Sequence, residues 1–527
     1  MPCRATRTPR TTKPGRFQVL TKSFILTLAL MLLWAMASPL ASVPDEPSHA
    51  IRAYAVAHGE LSTTPWNANP TMGEAHVPRY VAHMHERTCY AFQPDLSAGC
   101  VQGVEGNASE ILITGTSAAV NHPAYYAIVG LPTLLWDGDL ALYAMRGVSA
   151  GLSALFIAIM FMQLSTLRRS RWAILAAGAS MTPMVLYLGG SINPNGLEVA
   201  AAGALLATLI AALREPSSRT LLWERAVLVT LSASALVISR SISLLWILVI
   251  LGVALALSRR HTVASLARQP AAWVALTLAG LASFTALVWY ANPPIFAPQH
   301  FAGSGTSPLL AGVTTLLATF DYAGGYVGLF GWVDTPSPVF SVIVWSAAIG
   351  AIIVAALAFA NTHWRLTIVS LILVVITVPV VVQAIVTPMI GYIWQGRYML
   401  AIVLCTLVVC GVALDDQLQR LPHPDVMKRI AIWAVGLLAL GHIASFVGAL
   451  QRYVVGANHT VREMIFAPQW QPPLGWSTLA IGMAVTVTCG ACLVWRYWAM
   501  DTHAADGDSA PTYDTTPAAV HSTRTER

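Results

Sequence analysis

Charged residues are scarce in this chain. Only 10% of its 527 residues are charged, whereas soluble proteins carry about 25%. Lysine is nearly missing: three of the 30 basic residues are lysine, so arginine supplies almost all of the positive charge. A chain of this size with so few charges is not an ordinary soluble protein, and its basic residues lie in short segments between apolar runs. We therefore expect no nucleic-acid partner.

Cysteine is scarce as well, with seven residues, too few for a disulfide scaffold. Cys89 and Cys100 fall in one polar loop and could pair in an oxidising exterior. Cys489 and Cys492 have a spacing that resembles a redox or metal motif, but their apolar surroundings lack the polar ligands that a metal site needs. We interpret these two as packing residues, and we expect a disulfide between Cys89 and Cys100.

What the chain does have is a series of long apolar runs. It is 56% hydrophobic with a mean hydropathy of +0.62, and a bilayer-spanning helix needs about 20 mostly apolar residues. The runs predict an all-α polytopic membrane protein with about twelve transmembrane helices. They lie near 20–42, 140–164, 172–190, 196–213, 222–239, 242–258, 270–290, 339–360, 366–388, 398–414, 429–450 and 475–496.

The first run is longer than the apolar part of a signal peptide, about 7–15 residues. We therefore predict a retained span, with cleavage as the alternative. If residues 1–22 form a cytoplasmic basic tail, most basic residues fall on the inner side, as membrane proteins prefer. Both termini are then cytoplasmic, residues 23–498 form the membrane domain, and residues 499–527 form a disordered tail.

Three outer segments are long in this topology: 43–139, 291–338 and 451–474. The inner loops are short, so we expect the functional site to lie at the outer face of the membrane. The first and largest outer loop should contain a helix after Pro47. Its end, residues 121–136, is apolar and aromatic and predicts an interfacial helix that lies along the bilayer surface.

Two adjacent acids, Asp45 and Glu46, follow directly on the first span. They could be a solvated pair or the cap of the next helix. They could also supply a general base, because a carboxylate in a partly dry cleft can take a proton from a hydroxyl. A third alternative is a divalent metal ion bound by both acids and His49. No cofactor is assigned, and the metal ion stays an alternative.

Three arginines lie at or near the outer ends of predicted spans: Arg146, Arg240 and Arg397. Charged residues at such depths are costly and tend to mark functional sites. Each could extend its charged end to the lipid headgroups. Together they could bind an anionic lipid phosphate and stabilise it as a leaving group.

Several motifs occur in a recognisable order: "PDEPSH" after the first span, "NHPAYY" before the second, "NPNG" after the third, "GWVDTP" before the eighth and "QGRYML" at the tenth. The set resembles the bacterial membrane protein family known as domain of unknown function 2142, from about Phe24 to Trp495. Two departures stand out. The family often has a second proline where this chain has Ala124, and often has lysine near Arg240, so only the positive charge carries over there.

That family is similar in layout to the C-type membrane glycosyltransferases, GT-C, which use polyprenyl-phosphate sugars. The resemblance implies an inverting glycosyltransferase of the bacterial cytoplasmic membrane, acting on a cell-envelope glycan at the outer face, with Asp45 or Glu46 as general base. The motifs supply the candidate substrate-binding residues His49, Arg52, His122, Tyr125, Tyr126, Asn193, Asn195, Arg240, Trp332, Asp334, Gln395, Arg397 and Tyr398.

Two other classes of protein remain open from the sequence. A transporter or flippase of a lipid-linked glycan would also have twelve spans, but it should show ionisable residues deep in the spans and related halves. Glu198 and Arg225 are weak candidates for such residues, and no internal repeat is evident. A non-catalytic partner in envelope assembly is the third class, with the acid pair as a plain helix cap.

Overall fold

The computed structural model describes residues 14–61, 63–417, 420 and 423–505. In this part of the chain, ten helices are long and apolar enough to cross a membrane. Two further pairs of helices, bent by 67° and 118°, raise the number to twelve if each pair is one span. The first pair matches the span predicted at 172–190, whereas only the first helix of the second pair, Ser243–Ala256, matches the span predicted at 242–258. The predicted all-α polytopic fold is confirmed.

The helices and strands are numbered in chain order. The helices are α1 Arg16–Ala37, α2 Glu46–Ala57, α3 Arg79–Ala82, α4 Pro123–Val129, α5 Gly138–Ser165, α6 Arg171–Ser180, α7 Pro183–Gly189, α8 Pro194–Arg214, α9 Arg219–Ser239, α10 Ser243–Ala256, α11 Arg260–Leu266, α12 Pro270–Ala291, α13 Pro308–Leu317, α14 Thr319–Val327, α15 Val339–Phe359, α16 Thr362–Ile390, α17 Leu400–Asp416, α18 Pro424–Val454, α19 Val461–Phe466 and α20 Trp476–Ala505. The strands are β1 Pro65–Trp66, β2 Asn69–Pro78, β3 Ile111–Thr116, β4 Leu329–Phe330 and β5 Thr335–Pro336.

Helices α5, α8 and α17 form the centre of the bundle, and most of their residues are buried. Helix α8 is rich in Ala and Gly, which lets its neighbours approach closely. A Cβ added at Gly203 would lie closer to Met160 of α5 and Leu404 of α17 than van der Waals contact allows. Outer helices such as α12 and α16 leave apolar side chains exposed, as a lipid-facing surface requires.

The long segment between α1 and α5, residues 38–137, folds into a small cap over the bundle. Strands β1, β2 and β3 form an antiparallel sheet, with Ala75 opposite Thr114. Helix α2 packs against this sheet, and Thr116 Oγ1 donates a 2.7 Å hydrogen bond to the Ser48 carbonyl of α2. The cap therefore fixes α2, which begins only nine residues after α1 ends.

Three expectations about segment ends need correction. The helix predicted at 121–136 is divided in two: α4 ends at Val129, and a separate 3-10 turn with Pro132 near its start follows at Leu131–Leu134. Between them Gly130 lies against Ala53 of α2, where a Cβ would overlap the Ala53 carbonyl. Residues 16–22 belong to α1, and 499–505 belong to α20. The remainder of the two predicted tails, 1–13 and 506–527, lies outside the described residues.

Candidate active site

The site begins where α1 passes into α2. Asp45 precedes α2 with a left-handed backbone, φ 65°, a conformation that Asp tolerates better than most residues. Glu46 and Pro47 open the helix, and proline suits the first turn because its missing N–H would have no partner there. His49 lies one turn beyond Asp45, and its backbone N–H donates to the Asp45 carbonyl at 3.1 Å.

Glu46 is completely buried, so the alternative of a solvated acidic pair does not describe it. Its carboxylate accepts hydrogen bonds from Arg146 Nε at 2.7 Å and Arg146 Nη2 at 2.6 Å. The backbone N–H groups of Ala41 and Ile192 donate to the same carboxylate, each at 3.1 Å. With four hydrogen bonds from protein groups, the Glu46 carboxylate has a structural role.

Arg146 also uses its N–H groups for hydrogen bonds within the protein, so it does not act together with Arg240 and Arg397. Besides Glu46, its guanidinium donates to the carbonyls of Ala35, Ser38 and Pro39 at 2.6–2.7 Å. These carbonyls lie at and just beyond the end of α1, where helix carbonyls lack partners within the helix. Arg146 thus caps α1 and fixes its connection to α2, and the expectation that it binds phosphate is wrong.

Asp45 has different surroundings from Glu46. Its side chain is 51% exposed, and Oδ2 accepts a 2.8 Å hydrogen bond from Arg397 Nη2. Within the described residues its carboxylate makes no capping hydrogen bond to α2. The interpretation of Asp45 as a plain helix cap is therefore wrong, and Asp45 is the acid of the pair that faces both solvent and a buried cation.

Arg397 and Arg240 each have a carboxylate partner but also N–H donors without a hydrogen bond among the described residues. The Arg397 side chain is 3% exposed, and its Nε and Nη1 have no hydrogen-bond partner among the described residues. Arg240 Nη1, also without a hydrogen bond in that part of the chain, lies 3.7 Å from the Glu198 carboxylate. The Tyr398 ring connects the two cations, 4.1 Å from the Arg240 guanidinium carbon and 5.3 Å from that of Arg397.

Glu198 helps to hold the Arg240 side chain in place. Its Oε1 accepts hydrogen bonds from Ser243 Oγ at 2.7 Å and Trp246 Nε1 at 3.1 Å, which leaves Oε2 towards Arg240. Sequence reasoning treated Glu198 only as a weak sign of transport. This role could have been predicted from the position of Glu198 in the first turns of α8, just after the "NPNG" motif.

His49 completes the polar surface next to Asp45. Its Nδ1 lies 2.8 Å from Tyr126 Oη, and Asn121 Nδ2 donates to the same oxygen at 2.9 Å. Burial lowers the pKa of His49 to about 4, although the Asp45 carboxylate raises it. Burial also raises the pKa of Tyr126 well above its usual value. Both rings are therefore neutral at neutral pH.

Other predicted residues support the site without facing the cations. His122 caps α4 by accepting from the Ala124 N–H, and burial lowers its pKa. Arg52 donates to the carbonyls of Glu60 and Leu61 and so holds the chain after α2. The remaining members are Tyr125, whose Oη bonds Ser149 Oγ at 2.9 Å, and Asn193, which donates to the Pro44 carbonyl and accepts from the Asn195 N–H.

Trp332 and Asp334 join the segment around the β4–β5 hairpin to the cap. Trp332 Nε1 donates to the Ala41 carbonyl at 3.0 Å. Asp334 accepts from the backbone N–H of Trp332 and from that of Phe92 at 2.8 Å. Their polar groups are thus used within the protein, close to the connection that carries Asp45.

Phe92 lies in a loop that is closed in two ways. Cys89 and Cys100 form a disulfide with their Cα atoms 6.2 Å apart. Arg452 of α18 donates to three carbonyls of the same loop, those of Tyr90, Gln93 and Leu96. The sequence analysis did not single out Arg452, which lies in a predicted outer segment with no motif around it.

Arg397 is positioned by a short 3-10 turn at Gly396–Met399. Gly396 packs against α14, where a Cβ would overlap the Tyr322 carbonyl oxygen. Gln395 precedes the turn, and its Oε1 has no hydrogen-bond partner within the described ranges. In the same ranges, no three His, Cys, Asp or Glu side chains cluster as a metal site would need. Glu46 and His49 Nδ1 are occupied by protein partners, which argues against the alternative of a metal ion held with Asp45.

Together the fold and the site define a multi-pass membrane protein with a polar site at one end of its helical bundle. The chain belongs to the family described as "Predicted membrane protein (DUF2142)", which it matches over residues 28–406. No curated protein matches it.

Two solved structures share its general layout. One is the crystal structure of ArnT from Cupriavidus metallidurans bound to undecaprenyl phosphate, with 12% identity, a TM-score of 0.43, and coverage of 92% of this chain and 77% of that chain. The other is the cryo-EM structure of the arabinofuranosyltransferase AftD from Mycobacteria, with 15% identity, a TM-score of 0.40, and coverage of 85% and 28%. With TM-scores below 0.5, neither likeness carries an inference about this chain.

Proposed function

We propose that this protein is a membrane-embedded glycosyltransferase. It moves a sugar from a polyprenyl-phosphate donor to a cell-envelope glycan at the outer face of the bacterial cytoplasmic membrane. Asp45 is the general base, and Arg397 and Arg240 bind the donor phosphate. We further propose that both termini are cytoplasmic, which puts the cap and the site outside.

The observation that carries the proposal is the state of Arg397. A buried guanidinium with unpaired N–H groups is costly, because each unsatisfied donor loses its hydration without a replacement. Arg397 uses Nη2 for Asp45 and leaves Nε and Nη1 unpaired within the described chain, beside a second cation on Arg240. A phosphate ester would satisfy these donors with charge-assisted hydrogen bonds. The same guanidinium would then contact both the leaving group and the base.

The proposed reaction is a single displacement. An acceptor hydroxyl loses its proton to the Asp45 carboxylate while its oxygen bonds to the anomeric carbon of the donor sugar. The bond from that carbon to the phosphate oxygen breaks, and polyprenyl phosphate leaves with the electron pair. Attack opposite the leaving group inverts the anomeric carbon. Arg397 and Arg240 stabilise the negative charge that develops on the phosphate, so no second acid is required.

Separate Asp45→Asn and Glu46→Gln variants test the proposal. Each would be expressed in a strain that lacks the native protein, with its membrane level measured and the envelope glycans analysed by composition and linkage. Asp45→Asn should remove the same sugar as deletion does while the protein stays folded, because a general base is worth about 10²- to 10⁴-fold in rate.

Glu46→Gln should act through stability instead. It leaves the buried Arg146 without its counter-charge, which costs about 3–5 kcal/mol in comparable pairs, and lowers the amount of folded protein. Wild-type glycans in the Asp45→Asn strain, with altered glycans in the deletion strain, would contradict the proposal. They would favour the alternatives, a transporter or flippase of a lipid-linked glycan or a non-catalytic assembly protein.

A further inference from the structure

His49 is a buried imidazole whose two nitrogen atoms have different surroundings. Nδ1 is 2.8 Å from Tyr126 Oη. Nε2, on the other edge of the ring, makes no hydrogen bond among the described residues and is not one of their fully buried unpaired atoms, so it keeps contact with solvent. The charged groups that act on the ring are those of the candidate active site, Asp45, Arg397 and Arg240. The edge that carries Nε2 is therefore the edge available to a bound molecule.

The hydrogen bonds around Tyr126 decide which nitrogen carries the proton. Asn121 Nδ2 donates to Tyr126 Oη at 2.9 Å, so the phenol oxygen is already an acceptor there. Among the described contacts of Tyr126 Oη, His49 Nδ1 is the acceptor available to the phenol proton, and we assign the proton to this hydrogen bond. A neutral imidazole that accepts at Nδ1 carries its proton at Nε2. The chain Asn121–Tyr126–His49 thus presents one fixed N–H donor beside Asp45.

We propose that His49 Nε2–H binds a hydroxyl group of the donor sugar, and that Asn121 and Tyr126 are positioning residues for this contact. The proposal rests on the proposed function and adds a sugar-binding residue to it. A neutral donor suits a neutral hydroxyl, whereas the two arginines suit the charged phosphate. An enzyme built this way favours a ligand with the matching hydroxyl, because that hydroxyl takes the place of the water that otherwise accepts from the N–H.

The two amide substitutions at position 49 separate the roles of the ring nitrogens. The amide of His49→Asn reaches about as far as Nδ1, so it can keep the contact to Tyr126 but loses the donor at Nε2. The amide of His49→Gln reaches about as far as Nε2 and can still donate there. His58→Asn is the matched control, because His58 is exposed at the end of the same helix and stacks on Tyr54.

The experiment compares two lipids on the full-length protein in nanodiscs. One is undecaprenyl phosphate, which carries no sugar. The other is the glycosylated polyprenyl phosphate extracted from a strain that lacks this protein, where an unused donor accumulates. Affinity for each lipid is measured for the wild type, the two His49 variants, Tyr126→Phe and His58→Asn.

The sugar contact predicts a selective loss. His49→Asn should weaken binding of the glycosylated lipid about tenfold, the value of one hydrogen bond, and leave undecaprenyl phosphate binding unchanged. His49→Gln should recover part of the loss, Tyr126→Phe should lie between them, and His58→Asn should match the wild type.

Two results would overturn the inference in distinguishable ways. Equal weakening of both lipids by His49→Asn and His49→Gln would show a structural role for His49 and leave the proposed function standing. Failure of the wild-type protein to bind either lipid would overturn the proposed function, and the sugar contact with it.

Discussion

Asp45 and Glu46 are neighbours in the chain, yet their carboxylates meet different arginines. The left-handed backbone of Asp45 separates the two side chains, one towards Arg397 and one towards Arg146. Arg146 has all of its N–H groups in hydrogen bonds, whereas Arg397 has two unpaired nitrogens within the described chain. At the scale of single residues, therefore, the number of satisfied donors distinguishes a structural arginine from a candidate binding arginine.

This difference predicts how the binding arginines respond to lysine. Arg397→Lys should lower activity about 10- to 100-fold, because one ammonium group cannot contact Asp45 and the phosphate in the fixed geometry of a guanidinium. Arg240→Lys should keep most of the activity, since Arg240 contributes charge near Glu198 at 3.7 Å rather than a close hydrogen bond. The measurement is envelope glycan analysis at matched membrane levels. Equal activity of the two variants would contradict the assignment.

The pKa of His49 predicts a pH dependence of stability. Burial lowers this pKa from 6.5 to about 4 in the folded protein, so between these values the unfolded chain binds more protons. The groups facing the ring are Asp45, which favours its protonation, Arg397 and Arg240, which oppose it, and the Tyr126 hydroxyl. Stability should fall as pH drops from about 6.5 towards 4, by up to roughly 3 kcal/mol.

Thermal unfolding of the purified full chain between pH 7.5 and 4.5 would measure this fall. The His49→Asn variant should lose less stability on acidification than the wild type, since Asn has no proton to gain. The His58→Asn variant controls for an exposed histidine and should follow the wild type. A His49→Asn curve parallel to that of the wild type would rule out this contribution.

At the scale of elements, two short segments position Arg397. The 3-10 turn at Gly396–Met399 packs on α14 through Gly396, and the backbone of α14 leaves no room for a side chain there. Helix α14 is linked through Gly328 to the β4–β5 hairpin, which carries Trp332 and contacts the connection before Asp45. The base and its arginine thus share a framework although they are 352 residues apart in sequence.

Gly396→Ala should therefore impair activity without abolishing folding. The new methyl group overlaps the Tyr322 carbonyl, so the turn must shift and carry Arg397 away from Asp45. Displacements of this kind by about 1 Å cost catalysis about 100-fold. Gly324→Ala in α14 is the control, because a Cβ there meets nothing within 4 Å. The assay is again envelope glycan composition, and loss of activity in both variants would contradict this explanation.

At the scale of the whole molecule, topology is the open prediction. If the cap is outside, the Cys89–Cys100 disulfide persists, because cytosolic thiols are kept reduced. On intact cells, a membrane-impermeant thiol reagent should label neither residue until an impermeant reductant is added, and then label both. A Cys89→Ser, Cys100→Ser variant is the control for labelling elsewhere. Labelling of Cys89 or Cys100 before reduction would contradict the external placement.

The sequence predicts the architecture better than the contacts. Apolar runs identify the spans because a helix that crosses lipid pairs its backbone polar groups internally and presents apolar side chains. The two bent pairs differ from the other spans mainly in having a break. The sequence predicts a common role for Arg146, Arg240 and Arg397, whereas in the structure Arg240 and Arg397 share the Tyr398 ring and Arg146 pairs with Glu46 instead. The burial of Glu46 could not be predicted, because its partner Arg146 is 100 residues away and Asp45 carries the same charge.

The hydrogen bonds from Arg146 to the carbonyls at the end of α1 affect how the protein folds during its synthesis. Helix α1 emerges from the ribosome long before α5, so its last carbonyls and Glu46 have no Arg146 to meet during that interval. The C-terminal end of α1 can reach its final arrangement only after α5, the second long span, is in place. Assembly of the site therefore waits on insertion of α5, and a chain truncated before residue 146 would carry Asp45 without the anchor that fixes its position.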